Sequence, residues 1–113
     1  GTWFGYVATT YDGGQTWVTV NATPNDPVQR GVICTTGTTC PGATRNLLDF
    51  NDVTIDQRGR ALAAFADGCV TAACVSGADK NGDGRIDGND NDGAARATII
   101  RQSGGRTLFA ALD

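Results

Sequence analysis

Between Asp79 and Asp90 the chain reads Asp-Lys-Asn-Gly-Asp-Gly-Arg-Ile-Asp-Gly-Asn-Asp, with oxygen-bearing side chains at the first, third, fifth, ninth and twelfth positions. Gly84 stands sixth, where a loop of this kind must turn sharply, and Ile86 stands eighth. A hard cation such as Ca²⁺ takes about six to eight oxygens, and carboxylates one residue apart converge on it only if the backbone curls around it. The spacing therefore points to a calcium loop. Asp79, Asn81, Asp83, Asp87 and Asp90 would supply side-chain oxygens, and Arg85 its backbone carbonyl, with its guanidinium pointing away. The bland alternative is a solvated turn rich in Asp, Gly and Asn.

The flanks do not make a full EF-hand, which needs a helix on each side and usually a Glu in the twelfth position to bind with both oxygens. Here the twelfth residue is Asp90, the following Asn91-Asp92-Gly93 is a poor helix start, and the preceding Val75-Ser76-Gly77-Ala78 reads as non-helical. Over these twelve residues the loop resembles the calcium loops of dockerin modules and other extracellular proteins. That resemblance implies a structural clip and not a switch. Without an ion, Asp79, Asp83, Asp87, Asp90 and Asp92 would repel one another, and with it the segment is ordered.

The remaining composition narrows the class. The 113 residues make at most one domain, and the net charge of −3 leaves no electrostatic footprint for nucleic acid. There is no Glu, His or Met and one Lys, so the usual helix formers are scarce. No apolar run is long enough to span a membrane. The chain starts without a basic, then apolar, leader, so any signal peptide is expected to have been removed or to belong to a longer precursor. Cys34 and Cys40 form one close pair of cysteines and Cys69 and Cys74 another. An even count in a His-free chain reads as disulfides made in an oxidising compartment, with local pairing expected among three possible connectivities. A four-cysteine zinc site is the rival, but neither pair has the usual two-residue spacing.

Strands alternate with turns along the chain. Trp3–Thr9 and Thr16–Val20 flank the tight turn Tyr11–Gln15 and predict a hairpin. Residues 21–46 read as a loop carrying the first cysteine pair. Leu47–Asp56 ends in clean alternation, Gln57–Arg60 is a turn, and Ala61–Ala66 is apolar on both faces, a buried strand or a short helix. Residues 68–94 form an insertion with the second cysteine pair and the calcium loop. Ala97–Arg101 and Thr107–Leu112 are the last two strands, joined by the turn Ser103–Arg106. The fold class is all-β, an antiparallel meander of about six strands, with no crossover helix.

Thr10-Tyr11-Asp12-Gly13-Gly14-Gln15-Thr16-Trp17 resembles the Asp-box of sialidase-type β-propellers, a Ser/Thr-x-Asp-x-Gly-x-Thr-Trp turn. Thr10, Asp12, Gly14, Thr16 and Trp17 fill its defining positions. The carboxylate accepts turn amides, the glycine takes a backbone conformation closed to other residues, and the tryptophan packs over the hairpin. The box joins the third and fourth strands of a blade. The resemblance then implies that residues 1–20 are half a blade and residues 47–113 a four-strand blade, interrupted at 68–94. Gln102-Ser103-Gly104-Gly105-Arg106, at the equivalent turn of that blade, has neither the Asp nor the Trp. A propeller closes with at least about four blades, so the resemblance also implies that the chain packs against the rest of a larger protein or another chain. A six-stranded sandwich is the alternative.

Sialidases use an arginine cluster, a tyrosine nucleophile with a glutamate, and an aspartate acid/base. This chain has no Glu, and Tyr6 and Tyr11 sit beside the Asp-box in positions that read as structural. Asp49 and Asp52 are a carboxylate pair of the type that hydrolyses glycosides, with turn capping as the plainer use. No catalytic residue is assigned. Asn21-Ala22-Thr23 matches a glycosylation sequon. Three functions follow. One is a secreted, calcium-binding, non-catalytic portion of a sialidase-like propeller. The second is part of a glycoside hydrolase whose catalytic residues lie on other blades. The third is a self-contained calcium-dependent carbohydrate-binding or adhesion module using Trp3, Tyr6 and Trp17.

Overall fold

The computed structural model describes residues 1–40, 44–45 and 51–111, with the side chain of Ala111 left aside. Its strands are β1 (Thr2–Trp3), β2 (Tyr6–Thr9), β3 (Val18–Asn21), β4 (Gln29–Arg30), β5 (Asp52–Ile55), β6 (Ala61–Asp67) and β7 (Arg96–Arg101), with one short helix, α1 (Ala72–Ser76). Among the described residues the strands form three small antiparallel sheets: β1 with β4, β2 with β3, and β5-β6-β7. The all-β expectation holds at this level.

The β2–β3 hairpin is set by its turn. Asp12 Oδ1 accepts the N–H groups of Gln15 and Thr16 at 3.0 and 2.9 Å, and its Oδ2 accepts the Thr16 hydroxyl at 2.6 Å. Thr10 Oγ1 donates to Asp12 Oδ1 and accepts the Gly14 N–H, while Trp17 Nε1 donates to the Gly14 carbonyl. Gly13 and Gly14 both have positive φ, at 72° and 92°, where a side chain would be strained. In register, Val7 opposes Val20 and Thr9 opposes Val18, so one face of the hairpin is mostly valine.

Several expected strand boundaries move, Thr16–Val20 becoming Val18–Asn21 among them. Trp3–Thr9 divides at Phe4-Gly5, because Trp3 pairs with Gln29 while Tyr6 pairs with Asn21. Of Leu47–Asp56, residues 47–50 lie outside the described residues, and Asp52–Ile55 is a strand. Ala61–Ala66 is a strand and not a helix. It lies between β5 and β7 and is half-buried.

The last expected strand is corrected. Thr107–Ala111 does not pair with β7. Leu108 N–H donates to the Gly59 carbonyl, and Phe109–Ala111 form a 3-10 turn. Gly59 has a φ of 74°, and a Cβ there would lie 2.7 Å from Phe109. The turn glycine therefore lets the C-terminal segment lie across it instead of along β7. The four-strand second sheet expected from the family resemblance is a three-strand sheet among the described residues.

The apolar core is small. Val28, Ala66, Cys69 and Cys74 are its buried apolar members, whereas Tyr6, Trp17, Val18, Val20, Val53 and Ile99 are exposed. Trp3 is 45 % exposed and Trp17 60 % exposed. The hairpin's Val7, Val18 and Val20 look across a cleft of about 570 Å³ at Ala61, Ala63 and Ile100. A second cleft of about 540 Å³ lies between Tyr6 and Val28 on one side and Val53 and Phe65 on the other. Tyr11 ties the two sheets at one end, its hydroxyl donating to the Arg106 carbonyl at 2.7 Å with the Arg106 guanidinium 4.5 Å above its ring.

The Asp12 contacts hold its carboxyl down to about 2, the Thr16 hydroxyl and amide contributing most. A lowered carboxyl stabilises the fold above its unfolded value and loses that contribution as pH falls through the folded value. We expect urea unfolding midpoints to fall between about pH 4 and pH 2 through this group. Asp12→Asn, which cannot ionise, should flatten that part of the pH curve.

Candidate metal centre

The loop from Asp79 to Asp90 is closed by its first and last carboxylates. Asp79 Oδ1 accepts Gly82 N–H at 2.6 Å and Asp83 N–H at 3.2 Å, and Asp79 Oδ2 accepts Gly84 N–H at 2.7 Å. Three successive amides therefore point at one carboxylate. Gly82 and Gly84 have φ of 74° and 80°, the left-handed geometry that this curl requires. At the other end Asp90 Oδ1 accepts Lys80 N–H at 2.7 Å and Asp90 Oδ2 accepts Asp87 N–H at 2.8 Å. Asp87 in turn accepts Asn89 N–H, which makes a capping box around the 3-10 turn Gly88–Asp90. Asp83 Oδ1 accepts Arg85 N–H, and Asn81 bonds to Asp83 through both ends of its amide.

Burial and charge follow this pattern. Asp90 is 0 % exposed while Asp79, Asn81, Asp83 and Arg85 are exposed. The Asp87 and Lys80 amides hold the Asp90 carboxyl below its ordinary range, against the opposing effect of burial. The oxygen-only donor set suits a hard cation in kind. Among the described residues, however, no three Asp or Cys side chains converge closely enough to hold a metal ion. Asp79 spends both oxygens on backbone amides, and Asp90 is turned to close the loop.

The spacing did not reveal how the loop is anchored. Asn91 Oδ1 accepts Arg30 N–H at 2.8 Å, and Asn91 Nδ2 donates to the carbonyls of Arg30 and Gly88 at 2.9 and 3.0 Å. A buried amide thus joins the loop's exit to β4. The fit is close: a Cβ on Gly31 would collide with the Gly88 backbone. Arg30 also donates to the carbonyls of Cys74 and Val75. Asp92 accepts the amides of Val70 and Thr71 and the Thr71 hydroxyl. Burial pulls the Asp92 carboxyl up, but the bonds from Thr71, Val70 and Lys80 outweigh it and lower it overall. Lys80 Nζ completes the strap, donating to the Asn91 carbonyl at 2.8 Å and lying 3.4 Å from Asp92.

Val75 and Ser76, expected to be non-helical, end the helix α1. Thr71 caps its start by accepting Cys74 N–H, and Gly77 ends it in the left-handed conformation. The Thr71 cap, the Ala72-Ala73 pair and Gly77 were the signal for this turn. Both local disulfides form, Cys34–Cys40 and Cys69–Cys74, and no free cysteine exists among the described residues. The second is buried and clasps α1 beside the loop. Asp67, at the end of β6, has its carboxyl raised chiefly by burial and also by Asp26 and Asp92, against the Cys69 amide. Its sign is opposite to that of Asp12: its contribution is present at low pH and lost as pH rises through its folded value.

The catalytic alternatives gain nothing from the geometry. Asp49 lies outside the described residues, and Asp52 accepts the N–H of its neighbour Val53. Thr23, the sequon hydroxyl, is buried and accepts Gly5 N–H. Among the described residues no helix is long and apolar enough to cross a membrane. No family model, curated protein or solved structure matches the chain.

Asn91→Ala would leave the Arg30 amide and two carbonyls without their partner in a buried place. We expect a loss of about 2 kcal/mol of stability by chemical denaturation, with both disulfides intact by mass.

Proposed function

We propose that this chain is a secreted, calcium-binding, non-catalytic structural module resembling part of a sialidase-like β-propeller. The observation that carries the calcium reading is the closure of the loop. Its first carboxylate gathers the amides of residues 82–84, and its last returns to the amide of Lys80. Asp79, Asn81, Asp83, Asp87 and Asp90, with the Arg85 carbonyl, are the residues that would hold the ion. When bound, calcium would neutralise the carboxylates of the loop and so order the insertion. This chain's residues orient the loop: Asn91 fixes its exit, Asp92 its helix and Lys80 its neck.

The propeller reading is supported by the Asp-box turn and by two sheets that face each other with unfilled apolar surface between them. The accessible surface is 7352 Å², against about 5,900 Å² for a compact monomer of this mass. The radius of gyration is 16.4 Å, against about 13 Å for a compact domain of this length. A chain this open fits a piece that packs against further protein. Two disulfides fit an oxidising, extracellular setting.

Native mass spectrometry with and without a chelator tests the calcium reading, with one bound Ca²⁺ per chain expected. Calcium at about a hundred times its dissociation constant should add about 2.7 kcal/mol to stability. Asp79→Ala with Asp90→Ala should abolish both the bound ion and that gain. Absence of calcium from the untreated protein would overturn the reading.

A further inference from the structure

With Thr107–Ala111 turned onto Gly59, β7 is an edge strand. Its two sides can be assigned residue by residue. Gln102 N–H donates to the Ala61 carbonyl, Ile100 opposes Ala63 and Thr98 opposes Phe65. Bonding direction alternates along an antiparallel ladder, so Ile100, Thr98 and Arg96 turn their main-chain groups to β6, while Ala97, Ile99 and Arg101 turn theirs outward. No described residue bonds to those outward groups.

The opposite edge of the same sheet is closed differently. On β5, Asp56 N–H bonds to the Arg60 carbonyl, which leaves Val53 and Ile55 facing outward by the same alternation. The Val53 N–H is already taken by Asp52 Oδ1 at 2.8 Å. Among the described residues, one edge is blunted by a carboxylate and the other is open. The open edge also carries a charge pattern. Arg96 begins it and Arg101 ends it, both exposed and neither in an ion pair with a described residue. Ile99 between them is 72 % exposed.

We propose that the outer edge of β7 is a strand-docking site. It takes an antiparallel β-segment of a partner, with an apolar middle over Ile99 and carboxylates opposite Arg96 and Arg101. Main-chain bonds to Ala97, Ile99 and Arg101 supply the attraction, and the two guanidiniums select an acidic-ended strand over a basic one. This deepens the associating-module reading above and rests on it.

The test is amide hydrogen exchange by NMR on the whole chain, titrated with the synthetic peptide Asp-Thr-Val-Thr-Val-Asp, which sets a valine opposite Ile99, or its Lys-ended counterpart. The acidic peptide should slow exchange at Ala97, Ile99 and Arg101 by about tenfold. At low salt it should bind roughly fivefold tighter than the Lys-ended one. Arg96→Glu with Arg101→Glu should invert that preference. Ile99→Pro removes one outward N–H without touching a bond to β6 and should abolish the protection. If the proline variant does not fold, the charge-reversed variant still decides, since both arginines are on the surface. Unchanged exchange, protection on β5 instead, or equal binding of the two peptides would overturn the proposal. So would protection of β7 that rises with protein concentration alone, which would make a second copy the occupant. If neither peptide changes the exchange of any amide, the associating reading falls with the proposal. If the acidic peptide protects amides elsewhere while those of β7 stay unchanged, only the edge assignment is overturned.

Discussion

Aspartate carboxylates hold this chain's turns by accepting backbone N–H groups, and the rest of the structure depends on that bond. Asp12 organises the hairpin turn, Asp56 the turn into β6, Asp67 the exit from β6, Asp79 and Asp90 the two ends of the acidic loop, and Asp92 the start of α1. The reason is compositional. A chain with few large apolar residues and 16 glycines gains little from burial and loses much backbone entropy on folding. Its buried apolar residues among those described are one valine, one alanine and a cystine. Short acidic side chains that satisfy two or three amides each, at positions where glycine permits the curl, replace part of what a core would do.

The same bond explains which features were legible in the sequence. An Asp followed by Gly at fixed spacing has one low-energy arrangement, so the Asp12 turn, the Asp56 turn and the curl after Asp79 could all be read from local residues. The local disulfides were legible for a similar reason, since each closes a short loop. The alternation of Val53-Thr54-Ile55 and the apolar run Ala61–Ala66 located β5 and β6. What escaped was long-range. Nothing near Thr107 states that Gly59 will accept its neighbour Leu108, so a β-like segment was expected to continue the sheet. Asn91 and Arg30 lie far apart in the chain, and their mutual bonds have no local signature. The helix α1 was overlooked although Thr71 and Gly77 bracket it, because a single turn leaves no periodicity to read.

The acidic loop and the two sheets other than the hairpin form one hydrogen-bonded unit. Asn91 fixes the loop to β4, β4 pairs with β1, and Gly68 N–H donates to the Val28 carbonyl beside them. Closing the loop therefore also sets the N-terminal strand and the end of β6. The hairpin stands apart from this unit, joined to the larger sheet by Tyr11 and Arg106 at one end and separated from it elsewhere by the two clefts. Burial is concentrated around the cystine Cys69–Cys74, while the apolar surface left open is concentrated where the two sheets face each other.

Lys80 is the only lysine in the chain, and its ammonium lies against the Asn91 carbonyl and Asp92 at the loop's neck. Acylation of a lysine removes its charge and two of its three donors. The chain thus offers a single side-chain amine to any acylating reagent or enzyme, and reaching it means displacing the strap that joins the two ends of the acidic loop. Amine reactivity at this one position is a built-in report on whether the loop is closed.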